Sequence, residues 1–270
     1  MDIGLIAGLL LGIGSVVGSF MWEGGKMSAL IQGPAMLVIF GGTIATTLIG
    51  MPFKKFINGW RIAAKVLVEP KESPQDLIKE LVAGCEKARR EGLLALQKDV
   101  KNMKNPFTQK YMKMFINGTE PVVIAEMASV ELEHIRERHA AGTAVFTKMG
   151  GYSPTMGVIG TVMGLISTFS HAGGDAAKLV QAIAGAFIAT FWGVAIANLV
   201  FLPIGDKLKN KHQEESLLHA ITLDGIAFIQ AGYTPKIVST RLVAMLASKD
   251  QAMAEVGPSE KDFAEVVERD

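Results

Sequence analysis

Four windows of this 270-residue chain contain no Asp, Glu, Lys or Arg: residues 3–22, 27–53, 149–174 and 179–205. Each reaches the ~20 mostly apolar residues that a helix needs to cross a bilayer. A soluble domain of this size scatters its apolar residues over one core. Here the hydrophobic 49% is concentrated in four blocks, which is the pattern of a membrane protein. The first window is not a cleavable signal, because no basic residue precedes it, no A-x-A site follows and its uncharged core is too long. The expected fold is therefore an all-α integral membrane protein with four transmembrane helices arranged two plus two. Helices one and two fall in 1–50 and helices three and four in 149–204. A helical cytoplasmic domain occupies 51–148, a cytoplasmic helical extension 205–247 and a flexible acidic tail 248–270.

Charge gives the orientation. Of 27 basic residues, 17 lie between 51 and 148 and 8 lie after 204, leaving Lys26 and Lys178 in the two short turns. Basic residues accumulate on the cytoplasmic side. The turns Trp22–Lys26 and His171–Lys178 should then face outward, with both termini in the cytoplasm. The net charge of +1 and the lack of an aromatic–basic surface motif give no sign of a nucleic-acid partner. Cys85 is alone, so no internal disulfide or Cys-based metal site is possible within one chain.

The helices can be placed from their start and stop signals. Ser73-Pro74-Gln75-Asp76 predicts an N-cap, with Pro at the first helical position and an acid in the first turn. The helix should run to about Arg90 and end at Gly92. Shorter helices are expected at Leu93–Asn102 and Pro106–Asn117. A longer one starts near Thr119–Pro121 and runs into the third span. The fourth span should continue into the cytoplasm through Asp206–Gln230, stop at Gly232 and Pro235, and be followed by a helix over Lys236–Ala247.

No hydrolase, transferase, phosphate-loop or metalloprotease constellation is present, so neither an enzyme nor a cofactor is expected. His134 and His139 read as a solvated helix face. The interior of the spans is polar without being charged. Thr161 and Thr190 read either as helix–helix hydrogen bonders or as hydroxyls lining a hydrated ion path. Gly160 and Gly164, and Gly185, Ala189, Gly193 and Ala197, form close-packing stripes. A cation carrier needs a carboxylate at membrane depth. None lies in the four windows, so a partner must supply it if ions cross here.

The string SPTMGVIGTVMGL in the third span resembles the flagellar stator A-subunit family (MotA/PomA). So do AFIATFWGVAIANLVFLPIGDKL in the fourth span and ARREGLLALQ in the loop. The resemblance covers about residues 1–245. It implies a multi-pass protein of the bacterial inner membrane that couples Na⁺ or H⁺ flow to torque. It also implies a stator B subunit (MotB/PomB-like) carrying the membrane Asp, and a ring of five A subunits around two B subunits. A rotor switch protein of the FliG kind and the surrounding membrane lipid complete the partners.

By the same resemblance, Pro154 and Pro203 couple ion flow to movement, and Thr161 and Thr190 line the ion path. Thr at both positions leans toward sodium, since a hydroxyl can ligate Na⁺ and Ala cannot. Arg89, with Arg90 beside it, matches a rotor-facing arginine. The family's partner acid is replaced here by Gln97. Asp99 or Glu91 stands in for it, or the surface relies on Arg89, Arg90 and Lys98 alone. The competing expectation is an energising subunit for outer-membrane transport, of the ExbB/TolQ kind.

Overall fold

The structure is a computed structural model that describes residues 3–64, 73–170, 176–248 and 250–251. Most of the expected His171–Lys178 turn and nearly all of the acidic tail lie outside the described residues. Every regular element among the described residues is helical. In chain order these are α1 (Ile3–Trp22), α2 (Gly33–Met36), α3 (Gly42–Ile49), α4 (Phe53–Ala63), α5 (Pro74–Glu91), α6 (Gln97–Asn102) and α7 (Pro106–Ile116). They are followed by α8 (Pro121–Ser170), α9 (Ala176–Ile196), α10 (Leu202–Gln230) and α11 (Pro235–Val243). A π turn, Leu37–Gly41, joins α2 to α3, and another, Ala197–Phe201, joins α9 to α10.

Local chemistry explains the boundaries. The Ser73 side chain accepts a hydrogen bond from the Asp76 amide at 3.1 Å, and Pro74 opens α5 without sacrificing a needed donor. Gly92, with φ of 84°, ends α5 in a backbone region costly for any residue with a Cβ. Asn105 caps α7 by accepting from the amides of Phe107 and Thr108 at 2.9 and 3.3 Å. The expected helix at Leu93–Asn102 is instead a 3-10 turn, Leu93–Leu96, followed by α6. The expected second span begins as a 3-10 turn, Met27–Leu30, and becomes a helix only at Gly33, where Pro34 lies in the first turn.

Two helices are long and apolar enough to cross a membrane, Gly4–Trp22 and the stretch Leu179–Gln230; Gly33–Ile49 is apolar but shorter. The third charge-free window lies inside the 50-residue α8, where Gly, Ser and Thr dilute its apolar character.

The chain forms two compact units. The first draws on residues 1–69 and 136–212, and the second on 70–135 and 213–270. In the first, Phe56, Val145, Phe146, Met149 and Phe201 are buried together. Gly59 brings α4 so close to α8 that an added Cβ would lie 2.6 Å from the Val145 side chain. In the second, Leu77, Leu81, Tyr111, Met112, Ile221 and Leu242 are buried completely. Burying each such side chain stabilises the fold by ~1.5–3 kcal/mol.

Candidate functional site

Backbone, rather than interlocking side chains, forms the contact between α8 and α9. A Cβ on Gly157 would lie 2.9 Å from the Ala189 carbonyl, and one on Gly193 would lie 2.7 Å from the Ser153 carbonyl. A Cβ on Gly160 would meet the Ala189 methyl at 2.8 Å, and one on Gly164 the Ala186 methyl at 2.9 Å. The small-residue stripes are thus consumed within the chain. Such packing suits a membrane helix pair, where dispersion between close backbones replaces the hydrophobic effect.

Hydroxyls fasten this contact. Thr161 Oγ1 donates to the Ala186 carbonyl at 2.9 Å, lies 3.1 Å from the Gly157 carbonyl and meets Thr190 Oγ1 directly. Thr161 and Thr190 are therefore brought together, half-buried, between the two helices. Ser153, fully buried, donates to the Gly193 carbonyl at 2.9 Å. Sequence reasoning quoted Ser153 without giving it a role. Its only signal is its place four residues before Gly157, on the same helix face. Trp192 Nε1 donates to the Leu30 carbonyl at 2.7 Å and ties α9 to the turn before α2. Thr47 donates to its own helix at Thr43, whereas the buried Thr43 hydroxyl has no partner among the described residues.

The two prolines flank one crossing. Proline has no N–H, so Pro154 leaves the Gly150 carbonyl without its helical donor. Gly150 packs against Leu202, the residue before Pro203, so closely that a Cβ there would run into the Leu202 side chain. Pro203 sits in the first turn of α10, directly after the π turn Ala197–Phe201, which widens the helix where the ring would otherwise crowd the preceding carbonyl. The Gly50 carbonyl, at the end of α3, accepts from Lys148 Nζ at 2.8 Å.

The basic group lies in the second unit. Arg89 and Arg90 are exposed in the last turn of α5, where cations oppose the helix dipole. Arg89 donates to the Gly232 carbonyl at 3.3 Å rather than to Gln97. Arg89, Arg90 and Glu86 line a cavity of about 410 Å³ with Thr234, Pro235 and Lys236 from the start of α11. Gln97 and Lys98 are exposed at the start of α6. Asp99, one of the two acids that could stand in at Gln97, is ion-paired to Lys87 at 2.7 Å. That hydrogen bond raises the Lys87 pKa.

Two other polar clusters were not legible as partners. Lys110 and Tyr111 both bond Glu131, at 2.6 and 2.7 Å. The Lys110 hydrogen bond holds the Glu131 carboxyl below its ordinary range, while burial pushes the Tyr111 hydroxyl well up. His139, expected on a solvated face, instead approaches His212 across α8 and α10, with Nδ1 atoms 3.1 Å apart. Among the described residues no group of three or more His, Cys, Asp or Glu could hold a metal ion.

Comparison with known proteins gives the family. Residues 6–92 match the motility protein A N-terminal family, and residues 99–220 match the MotA/TolQ/ExbB proton channel family. Motility protein A of Bacillus subtilis is 32% identical over 93% of this chain and 93% of its own length. Chemotaxis protein PomA of Vibrio alginolyticus is 31% identical over 90% of this chain and 94% of its own. Among solved structures, C. jejuni MotAB superposes with a TM-score of 0.86 at 25% identity, covering 92% of this chain and 97% of that one. The flagellar MotAB stator complex from Bacillus subtilis gives 0.85 at 31% identity, covering 92% and 98%. The chain belongs to the motility protein A family of ion-coupled flagellar stator subunits.

Proposed function

We propose that this chain works as the A subunit of a stator in the bacterial inner membrane. Four helices cross the bilayer, within 1–50 and 149–204. The parts at 51–148 and 205–247 lie in the cytoplasm, as do both termini and the tail at 248–270. The observation that carries the reading is the α8–α9 contact. It combines paired hydroxyls at Thr161 and Thr190 with a charge-free window around each, 149–174 and 179–205. Such a contact can pass a cation between hydroxyl and carbonyl oxygens, but it offers no carboxylate to hold one.

A B subunit of the MotB/PomB kind supplies that carboxylate, and the solved MotAB complexes support such a partner. Self-association into a ring, a pentamer around two B subunits, places copies of the hydroxyl pair about the shared acid. Pro154 and Pro203, at the Gly150–Leu202 crossing, convert the ion step into movement. Arg89, Arg90, Gln97 and Lys98 present the contact for a FliG-like rotor switch protein. Na⁺ is favoured over H⁺ as the coupled ion by the two hydroxyls.

The test is a deletion strain complemented with the gene in graded NaCl at fixed pH, with flagella counted. Flagellated, paralysed cells rescued by the gene support the stator reading. Normal swimming of the deletion strain that carries no second stator gene rejects it. Speed rising with Na⁺ supports sodium, and indifference to Na⁺ rejects it in favour of protons.

A further inference from the structure

Five basic side chains line one cavity of about 500 Å³ in the first unit: Arg136, His139 and Lys148 from α8, and Lys209 and His212 from α10. The wall between them is apolar or nearly so, formed by Ala140, Thr143, Ala144 and Thr147 on one face of α8. From Arg136 to Lys148 this face rises by roughly 18 Å. Lys148 directly precedes the charge-free window 149–174, and its ammonium donates to the carbonyl that ends α3. The cavity therefore lies where the apolar part of α8 gives way to its charged part. The contact between His139 and His212 fixes α8 and α10 beside each other at this level.

We propose that this cavity binds an anionic phospholipid of the inner leaflet, with its phosphate among Arg136, Lys209 and the histidines and an acyl chain along the Ala140–Thr147 wall. The inference rests on reading the charge-free windows as membrane spans. Two observations favour a lipid over soluble phosphate. The wall is uncharged over about two helical turns, Ala140 to Thr147, which a free anion would leave unfilled. The cavity also adjoins the bilayer at the leaflet where basic pockets between helices recognise phosphorylated headgroups. Near that surface a Lys or Arg attracts anionic lipid appreciably, and several acting together select a headgroup by charge.

The experiment is native mass spectrometry of the full chain released from mixed micelles of phosphatidylglycerol and phosphatidylcholine with identical acyl chains. The chain is expected to retain one phosphatidylglycerol, with about tenfold preference. Arg136→Gln with Lys209→Gln should bring the preference close to one, and Lys113→Gln, on α7, should leave it unchanged. Ala144→Trp keeps every charge but fills the wall, and should release the lipid; it tests the site even if the double variant misfolds. Equal retention of both lipids overturns the proposal. So does an unchanged preference in the double variant, or displacement of the lipid by millimolar inorganic phosphate. Resistance of the chain to alkaline extraction from membranes checks the span reading separately. A resistant chain without lipid preference overturns the lipid site alone.

Discussion

At Thr161 one hydroxyl serves two helices. Replacing it with Ala removes its bonds to the Ala186 carbonyl and Thr190, each worth ~0.6–1.7 kcal/mol between membrane helices. Thr161→Ala should still insert and assemble, but swimming should slow and lose its response to NaCl; swimming as fast as with the unaltered chain, and with the same rise with NaCl, would remove Thr161 from the ion path. Glu131 gives a prediction in pH. Its carboxyl is held below the ordinary range by Lys110 and Tyr111. A depressed folded pKa adds stability above the unfolded value, near 4.5, and loses it as pH falls through the folded value. Glu131→Gln should therefore melt lower than the unaltered chain at neutral pH, with the gap closing as acid is added. A gap that stays constant with pH would show that the carboxylate's charge is not what stabilises. Cys85 is 1% exposed, and burial raises its thiol pKa while Arg89 opposes the shift in part. It should react with maleimide only on unfolding, and rapid labelling of folded chain would contradict its burial.

At the scale of elements, start and stop signals were readable because they act within a few residues. Ser73, Pro74, Gly92, Gly232 and Pro235 all sit at the ends expected of them. The π turns before Gly42 and Leu202 were not readable, because they carry no residue signature of their own; Pro203 marks a strained turn but not the form it takes. Nor were Ser153, the Lys110–Glu131–Tyr111 group and His139, whose partners lie 20 or more residues away in sequence. The pairing of Thr161 with Thr190 was half legible. Both readings of these hydroxyls stood open, and the structure places them in hydrogen-bond contact without closing the second. The α8–α9 contact tolerates no added side chain on its glycines. Gly157→Val should destabilise the chain by roughly 1–3 kcal/mol through overpacking, measurable as a lower melting temperature in detergent. An unchanged melting temperature would mean that the helices separate at little cost. Pro203→Ala restores a backbone donor after the π turn. It should leave assembly intact and slow or stop rotation, scored by tethered-cell speed; normal rotation would detach this proline from coupling.

Across the whole molecule, family and all-helical class were legible, because charge-free windows and local strings survive without knowledge of packing. The basic surface was legible only as a position. The Arg89 bond to the Gly232 carbonyl and the pairing of Asp99 with Lys87 came from the structure. Arg89→Glu should weaken motility while membrane insertion stays normal; full swimming would move the rotor contact elsewhere.

The glycine-faced contact between α8 and α9 has a mechanical consequence. Interlocked side chains must change rotamer before one helix can shear past another, whereas smooth backbone faces need only break what pins them. Here the pins are the hydroxyls of Ser153 and Thr161. At ~0.6–1.7 kcal/mol each, two pins hold about as firmly as the ~2.3 kcal/mol that one elementary charge releases in crossing 100 mV. A slip plane fastened at that strength can be unlatched by a single ion and reset by thermal motion.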